Sequence, residues 1–324
     1  MPKVKPDIGR HAARACGEDT AMSGCRMLLR PAAPYRLDLT VFALRRRAAN
    51  QVDRWEGGSY RRTLVVNGKG IDVGVAQTGA RSAPELVARI SGQRLSADER
   101  EATAAILGRM LGIHVDLSGF YAATQADERL QPLVKRFLGL KPPQFASIFE
   151  ALCNGIACQQ LSLDVGIQLL NRLAQRFGAP ATETAHRAFP TPEAFSNVDP
   201  QSLRALGFSQ RKCAAIVAIA RYAAAQPRLR EALSQLDDAQ ARQRLCLLPG
   251  VGHWTADYVL LRGLGRTHIF PEGDVGARNN LKRFLGLRES LDDARARRLL
   301  APWSAYAGLI YFHLLLDRLQ PIAA

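Results

Sequence analysis

The spacing of apolar and polar positions divides the chain into a β-like part and a longer helical part. Between about Pro34 and Gln93 the pattern is β-like. Thr63-Leu64-Val65-Val66 and Ile71-Asp72-Val73-Gly74-Val75 flank Asn67-Gly68-Lys69-Gly70. Asn-Gly accepts the positive φ angles of a tight turn, so the two runs are expected to pair as a hairpin. Phe42–Arg47 and Pro84–Ile90 read as helical, which makes residues 31–95 a small α+β domain. Residues 1–30 mix Pro, Gly, Ala and charge without a period and are expected to form a loose extension, with Met22 and Met27 as alternative starts. From Ser96 onward the pattern is helical almost throughout. Ser96-Ala97-Asp98-Glu99 is a capping box. Ile148, Leu152, Ile156 and Leu163 recur at helical spacing, and Gly178-Ala179-Pro180 and Pro190-Thr191-Pro192 break the chain between helices. Further helices are expected over Leu203–Leu206, Arg211–Ala225, Asp238–Leu247, His253–Leu264 and Pro302–Leu319. No repeat of 20–50 residues is visible, which argues against a solenoid.

The 324 residues suffice for two or three domains, and 47% hydrophobic with 23% charged residues excludes a largely disordered chain. The apolar stretch Ala305–Leu316 is 12 residues long and contains His313. A spanning helix needs about 20 residues, so a buried core helix is expected instead. Lys3 and Lys5 are followed by Asp7, Arg10 and His11 rather than by an apolar run, so no signal peptide is read. Charge narrows the function classes. Lys and Arg number 44 against 29 Asp and Glu, a net +15 that favours DNA, RNA or an anionic surface as partner. No basic amphipathic helix stands out, so no membrane partner is expected. The six cysteines form no C-x-x-C pair and no zinc or iron–sulfur spacing, and a reducing cytoplasm is the expected setting.

The most informative segment is Leu248-Pro249-Gly250-Val251-Gly252-His253-Trp254-Thr255-Ala256-Asp257-Tyr258. Two glycines one residue apart turn the backbone tightly and leave nothing projecting toward a ligand. The helix that follows begins with N–H groups that have no internal partner, an anion site suited to a DNA phosphate. The second element is Phe270-Pro271-Glu272-Gly273-Asp274-Val275-Gly276. Asp274 lies 22 residues after Gly252, one helix and a loop later. A carboxylate there is a helix cap. Beside a DNA grip it is also placed to stabilise positive charge developing at a sugar C1′ and to orient a water, the demands met by carboxylates in sugar hydrolases.

On these motifs the chain from about Gln144 to Leu319 resembles the helix-hairpin-helix–Gly/Pro–Asp superfamily of DNA base-excision glycosylases, and within it the 3-methyladenine DNA glycosylase II group. Further matches are Phe149-Glu150-Ala151-Leu152 leading to Gln159-Gln160-Leu161-Ser162, Phe189-Pro190-Thr191-Pro192, Leu206-Gly207-Phe208 and Pro302-Trp303-Ser304-Ala305-Tyr306-Ala307. Tyr35 to about Gly92 is similar to that group's N-terminal domain. The resemblance implies a mainly α fold: a helical glycosylase bundle of two subdomains over residues 96–324, with the helix-hairpin-helix at about 238–264, behind the small α+β domain.

The resemblance also implies roles. Asp274 takes the catalytic position. Pro249, Gly250, Val251, Gly252 and Thr255 take the phosphate-gripping hairpin, where the carbonyls of Cys246, Leu248 and Val251 would hold a monovalent cation, Na or K. Gln159 and Gln160 fall where the family fills the gap left by the flipped base. Trp254, Tyr258, Phe42 and Phe312 fall at or near base-pocket positions. Bifunctional members keep a lysine one spacer after the second hairpin glycine. Here the spacer is His253 and the next residue is Trp254, so no Schiff base is expected. Lys282 lies about two helical turns past Asp274 and is expected to meet a phosphate with Arg278 and Arg283. The expected activity is monofunctional release of alkylated purines, such as 3-methyladenine and 7-methylguanine, from duplex DNA. The protein would act as a cytoplasmic, nucleoid-associated monomer, with no cofactor required and no zinc or iron–sulfur cluster. The alternatives are a mismatch or oxidised-base glycosylase, or a non-catalytic DNA-binding module.

Overall fold

The computed structural model describes residues 24–319 apart from Gln93, Glu183 and Ser196, so most of the expected extension, residues 1–23, lies outside the described residues. The chain opens with β1 (Gly24–Leu29) and α1 (Leu37–Arg45), followed by β2 (Arg54–Glu56), β3 (Ser59–Val66), β4 (Lys69–Gln77) and β5 (Leu86–Ser91). These strands form one antiparallel sheet in the order β1-β5-β4-β3-β2. The expected hairpin is present. Asn67 and Gly68 take φ angles of +49° and +76°, and Val66 pairs with Lys69 and Leu64 with Ile71.

Two expectations fail in this sheet. Pro84–Ile90 is not helical: Leu86–Ser91 is the strand between β4 and β1. Leu, Ala and Arg are good helix formers, but pairing on both sides and burial of Leu86, Val87, Ala88 and Ile90 override that local preference. Residues 24–29 are not loose. They form the edge strand, in register from Gly24 opposite Ser91 to Leu29 opposite Leu86. Exposed and half-buried positions alternate along this strand and none is fully buried, so it lacks the apolar run that marks the inner strands.

The rest is helical: α2 (Ala97–Met110), α3 (Ser118–Gln125), α4 (Leu130–Arg136), α5 (Ile148–Cys158), α6 (Leu163–Phe177), α7 (Pro200–Arg204) and α8 (Gln210–Ala224). Then come α9 (Leu229–Ser234), α10 (Asp238–Cys246), α11 (His253–Arg262), α12 (Val275–Phe284), α13 (Asp293–Leu300) and α14 (Ala307–Leu319). Ser or Asp side chains close many of the N-termini. Ser96 and Glu99 form the expected capping box on α2, and Ser147, Ser162, Ser209 and Asp237 cap α5, α6, α8 and α10. The stretch Asp293–Leu319 is long and apolar enough to cross a membrane by length and composition. It is broken at Trp303 (φ −121°, ψ 26°), and 56% of its apolar window is buried against the rest of the fold, so it is a core element here.

One hydrophobic core runs from the sheet into the helices. α1 touches both β3 and α14, which draws the first domain onto the last helix. A buried ionic node fastens the same junction. Arg62 on β3, 1% exposed, donates to Asp53 at 2.7 Å and to Glu150 on α5 at 2.6 Å, and the Tyr60 hydroxyl donates to Asp53 at 2.7 Å. On its other face α5 meets α11 at Gly155, where a Cβ would stand 2.7 Å from Thr255 Cγ2. That close approach seats the hairpin of α10 and α11 on the core.

Candidate active site

Leu247–Gly252 turns the chain from α10 to α11. Gly250 takes φ +76°, and a Cβ there would lie 2.9 Å from Ala215 Cβ, so backbone and packing both call for glycine. Gly252 differs. Its backbone is extended and a Cβ would meet nothing within 4 Å. As N-cap of α11 it supplies no side-chain cap, so among the described residues no side-chain cap closes the start of this helix. Pro249, Gly250, Gly252 and His253 are exposed, whereas Val251 is buried and anchors the turn. Among the cation-site carbonyls, that of Leu248 accepts the Val251 N–H at 3.1 Å.

The two glutamines part company. Gln159 ends α5, and its side-chain amide donates to the Gly250 carbonyl and to Thr255 Oγ1, both at 2.9 Å. It braces the hairpin, together with Thr255, which is 1% exposed. Gln160 is exposed at φ +55°, beside the exposed Leu161. Of the two glutamines, Gln160 is the exposed one.

Asp274 is the N-cap of α12, as the sequence suggests: Oδ1 accepts the Ala277 N–H at 2.8 Å. Its second oxygen, Oδ2, accepts the indole N–H of Trp254 at 3.1 Å. Trp254 and Tyr258 lie four residues apart on one face of α11, with ring centroids 5.6 Å apart and planes 30° from parallel. Carboxylate and aromatic pair therefore form one half-buried unit next to the hairpin turn.

Behind that unit sit two buried guanidiniums that sequence reasoning missed. Arg46 donates to the Tyr258 hydroxyl at 3.0 Å and to Asn154 Oδ1 at 2.5 Å. Arg262, fully buried, lies over the rings of Tyr258 (5.7 Å), Phe145 (5.0 Å) and Phe312 (5.4 Å) and donates to the Ala43 carbonyl at 2.8 Å. Burial raises the Tyr258 phenol above its ordinary range against the opposing pull of Arg46 and Arg262, so the hydroxyl stays protonated. Phe42 is half-buried on α1, one turn before Arg46. Phe312 does not line an open pocket: it is 1% exposed and packs under Arg262. Its neighbour Tyr311 is the residue on the Asp274 side. Burial raises the Tyr311 phenol, with the Asp274 charge as the next cause, and its ring meets Phe270 edge-on at 6.0 Å. Two adjacent aromatics in an apolar helix give no periodic cue to which one faces the site. Arg46 sits within Arg45-Arg46-Arg47, which reads as solvated charge. Arg278 pairs with Asp293 at 2.5 Å, and Arg283 reaches Asp317 at 3.4 Å.

A family model described as "HhH-GPD superfamily base excision DNA repair protein" matches residues 153–305, and one described as "AlkA N-terminal domain" matches residues 26–147. The chain thus joins an AlkA N-terminal domain to an HhH-GPD domain. The chain is 28% identical over 218 residues to "DNA-3-methyladenine glycosylase" of Bacillus subtilis, covering 67% of the chain and 72% of that protein. It is 30% identical over 300 residues to "Probable bifunctional transcriptional activator/DNA repair enzyme AlkA" of Mycobacterium tuberculosis, covering 89% of the chain but only 57% of that longer protein. The solved "3-methyladenine dna-glycosylase from Archaeoglobus fulgidus" superposes with a TM-score of 0.78 at 27% identity, over 92% of this chain and all of that one.

Proposed function

We propose that this protein is a monofunctional DNA glycosylase that hydrolyses the N-glycosidic bond of alkylated purines, such as 3-methyladenine and 7-methylguanine, in duplex DNA. The observation that carries the reading is the Asp274 carboxylate, held by the Trp254 indole beside an aromatic pair and one helix away from an exposed glycine turn. The names of its relatives support the choice of alkylated bases.

The open N-terminus of α11 takes a backbone phosphate through its N–H groups. The lesion nucleotide leaves the stack at a cost of a few kcal/mol, less for a weakened pair, and Gln160 fills the gap. The base stacks on Trp254, where a positively charged methylpurine gains a cation–π contribution of about 0.5–2 kcal/mol. Arg262 already lies over the Tyr258 ring, so Trp254 is the aromatic face left for a cationic base. Asp274 stabilises the charge growing on C1′ as the base departs and orients the water that completes hydrolysis, leaving an abasic site.

Trp254 offers no amine where bifunctional members keep lysine, and this supports a water-using mechanism without strand cleavage. A monovalent cation at the turn would be held by the carbonyls of Cys246, Leu248 and Val251. The Leu248 carbonyl keeps a second lone pair beyond its bond to Val251, which such a cation would use. Action as a monomer in the cytoplasm, on the nucleoid, completes the proposal.

The test is base release from methylated duplex beside unmodified duplex, with borohydride present in a parallel reaction. Methylpurine release without a trapped protein–DNA adduct is expected. Binding without release would favour the DNA-binding module, and an adduct would favour the lyase branch.

A further inference from the structure

The loop that presents Asp274 hangs on three consecutive backbone N–H groups, and each has a fixed acceptor. Glu272 N–H donates to Asp257 Oδ2 at 3.1 Å, Gly273 N–H to Asp293 Oδ1 at 2.9 Å, and Asp274 N–H to the Pro271 carbonyl at 3.3 Å. Gly273, at φ +81°, makes the turn that sends successive N–H groups to different acceptors.

The two carboxylates are themselves held. Asp257, on α11 and 2% exposed, takes Arg242 Nε at 2.7 Å on its other oxygen. Asp293, in the first turn of α13, also takes Arg278 Nη1 at 2.5 Å. Partial burial would raise the Asp293 carboxyl, but the Gly273 N–H and Arg278 outweigh it and hold the group below the usual carboxylate range. Arg297 pairs with the Glu272 side chain on the outer side. Beneath the loop is a cavity of about 210 Å³ bordered by Arg242, Asp257, Phe270, Glu272, Asp293 and Arg297. Polar anchors beside this cavity therefore help to fix the loop's position.

We infer that Asp257 and Asp293 are positioning residues for Asp274, setting through Glu272 and Gly273 where its carboxylate stands relative to the DNA held by α11. Trp254 and Asp257 are three residues apart on α11, so one helix holds both the Asp274 side chain and the backbone before it. The same helix starts at the phosphate-facing turn, which makes it the common reference for grip and chemistry. This inference rests on the reading of Asp274 as the catalytic carboxylate.

The experiment is single-turnover base release with enzyme in excess, read beside affinity for duplex carrying an abasic analogue and beside melting temperature. Excess enzyme makes the rate constant independent of the active fraction. Asp257→Ala and Asp293→Ala are each expected to lower it about 10–100-fold, the size of loss that a misplacement near 1 Å produces, with affinity for the abasic analogue unchanged. Asp257→Asn keeps one oxygen for the Glu272 N–H and is expected to fall between, about fivefold below wild type. Glu289→Ala, which removes an exposed pair with Arg295, leaves the rate unchanged. Should an alanine variant not fold, Asp257→Asn and Asp293→Asn decide: a lowered rate in folded protein supports the inference and a wild-type rate overturns it. Losses confined to melting temperature or DNA affinity also overturn it. Asp274→Asn separates the two claims. If it is inactive while the anchor variants keep the wild-type rate, only the positioning role fails. If it releases base at the wild-type rate, the catalytic reading fails with it.

Discussion

The indole N–H of Trp254 meets Asp274 Oδ2 at 3.1 Å, so the residue on which a flipped base would stack also holds the carboxylate assigned to its sugar. Trp254→Phe keeps a stacking ring and removes the donor. Hydrogen bonds to charged groups contribute about 1.5–3 kcal/mol, so the single-turnover rate constant should fall about tenfold or more while affinity for abasic-analogue DNA holds. Trp254→Ala should lose both stacking and the hydrogen bond and be slower still.

The two hairpin glycines should separate by experiment. Gly250→Ala forces a side chain into a left-handed conformation and against Ala215, and should cost about 1–2 kcal/mol of stability. Gly252→Ala fits the extended backbone with open space around it, and stability should stay within about 0.5 kcal/mol. Both should weaken binding to all duplex sequences alike, because the contact is to phosphate. Melting temperatures and dissociation constants at two salt concentrations check this. An unweakened Gly252→Ala protein would remove the phosphate grip from that turn.

His313 makes the fold sensitive to acid. It is 1% exposed on α14, its Nδ1–H donates to the Leu309 carbonyl at 2.8 Å, and burial lowers its pKa from 6.5 to about 4. Between those values the unfolded chain binds a proton that the native protein does not, so stability falls as pH drops from 6.5 toward 4. The full effect is about 3 kcal/mol at 1.36 kcal/mol per unit. Urea unfolding at pH 7 and pH 4.5 should show part of this loss, and His313→Leu should flatten it.

The ionic node at the domain junction should tolerate no half removal. Arg62→Ala leaves Asp53 and Glu150 buried without their cation, a change that costs about 3–5 kcal/mol. A melting temperature close to wild type would show that water or other side chains replace the guanidinium.

What could be read in advance follows from where the information lies. The Asn67-Gly68 turn, the Ser96–Glu99 box and the Asp274 cap are local: each needs a particular residue at a particular backbone angle or helix position, so the string alone reveals them. The strands at 24–29 and 86–91 are non-local. Leu86–Ser91 mixes helix formers with the β-branched Val87 and Ile90, and pairing with neighbours on both sides decides for strand. The same division runs through the site. The hairpin string and Asp274 lie within a short stretch of sequence. Arg46 and Asp257 gain their roles from partners 212 and 15 residues away, Tyr258 and Glu272, and no spacing announces such contacts. Phe312, placed near the base pocket by the resemblance, is buried under Arg262, and which of two adjacent aromatics lies nearer Asp274 depends on packing partners far away in sequence.

The central claim is that Asp274 carries base release, and the most direct measurement compares wild type with Asp274→Asn. Single-turnover release of methylpurines from methylated duplex is followed beside binding to an abasic-analogue duplex. Asparagine keeps the shape and can still cap α12, but it has no charge to set against a developing C1′ cation. The account predicts release reduced to background with binding retained within about tenfold, a difference of about 1.4 kcal/mol. Release near the wild-type rate would contradict it and move the chemistry to another residue.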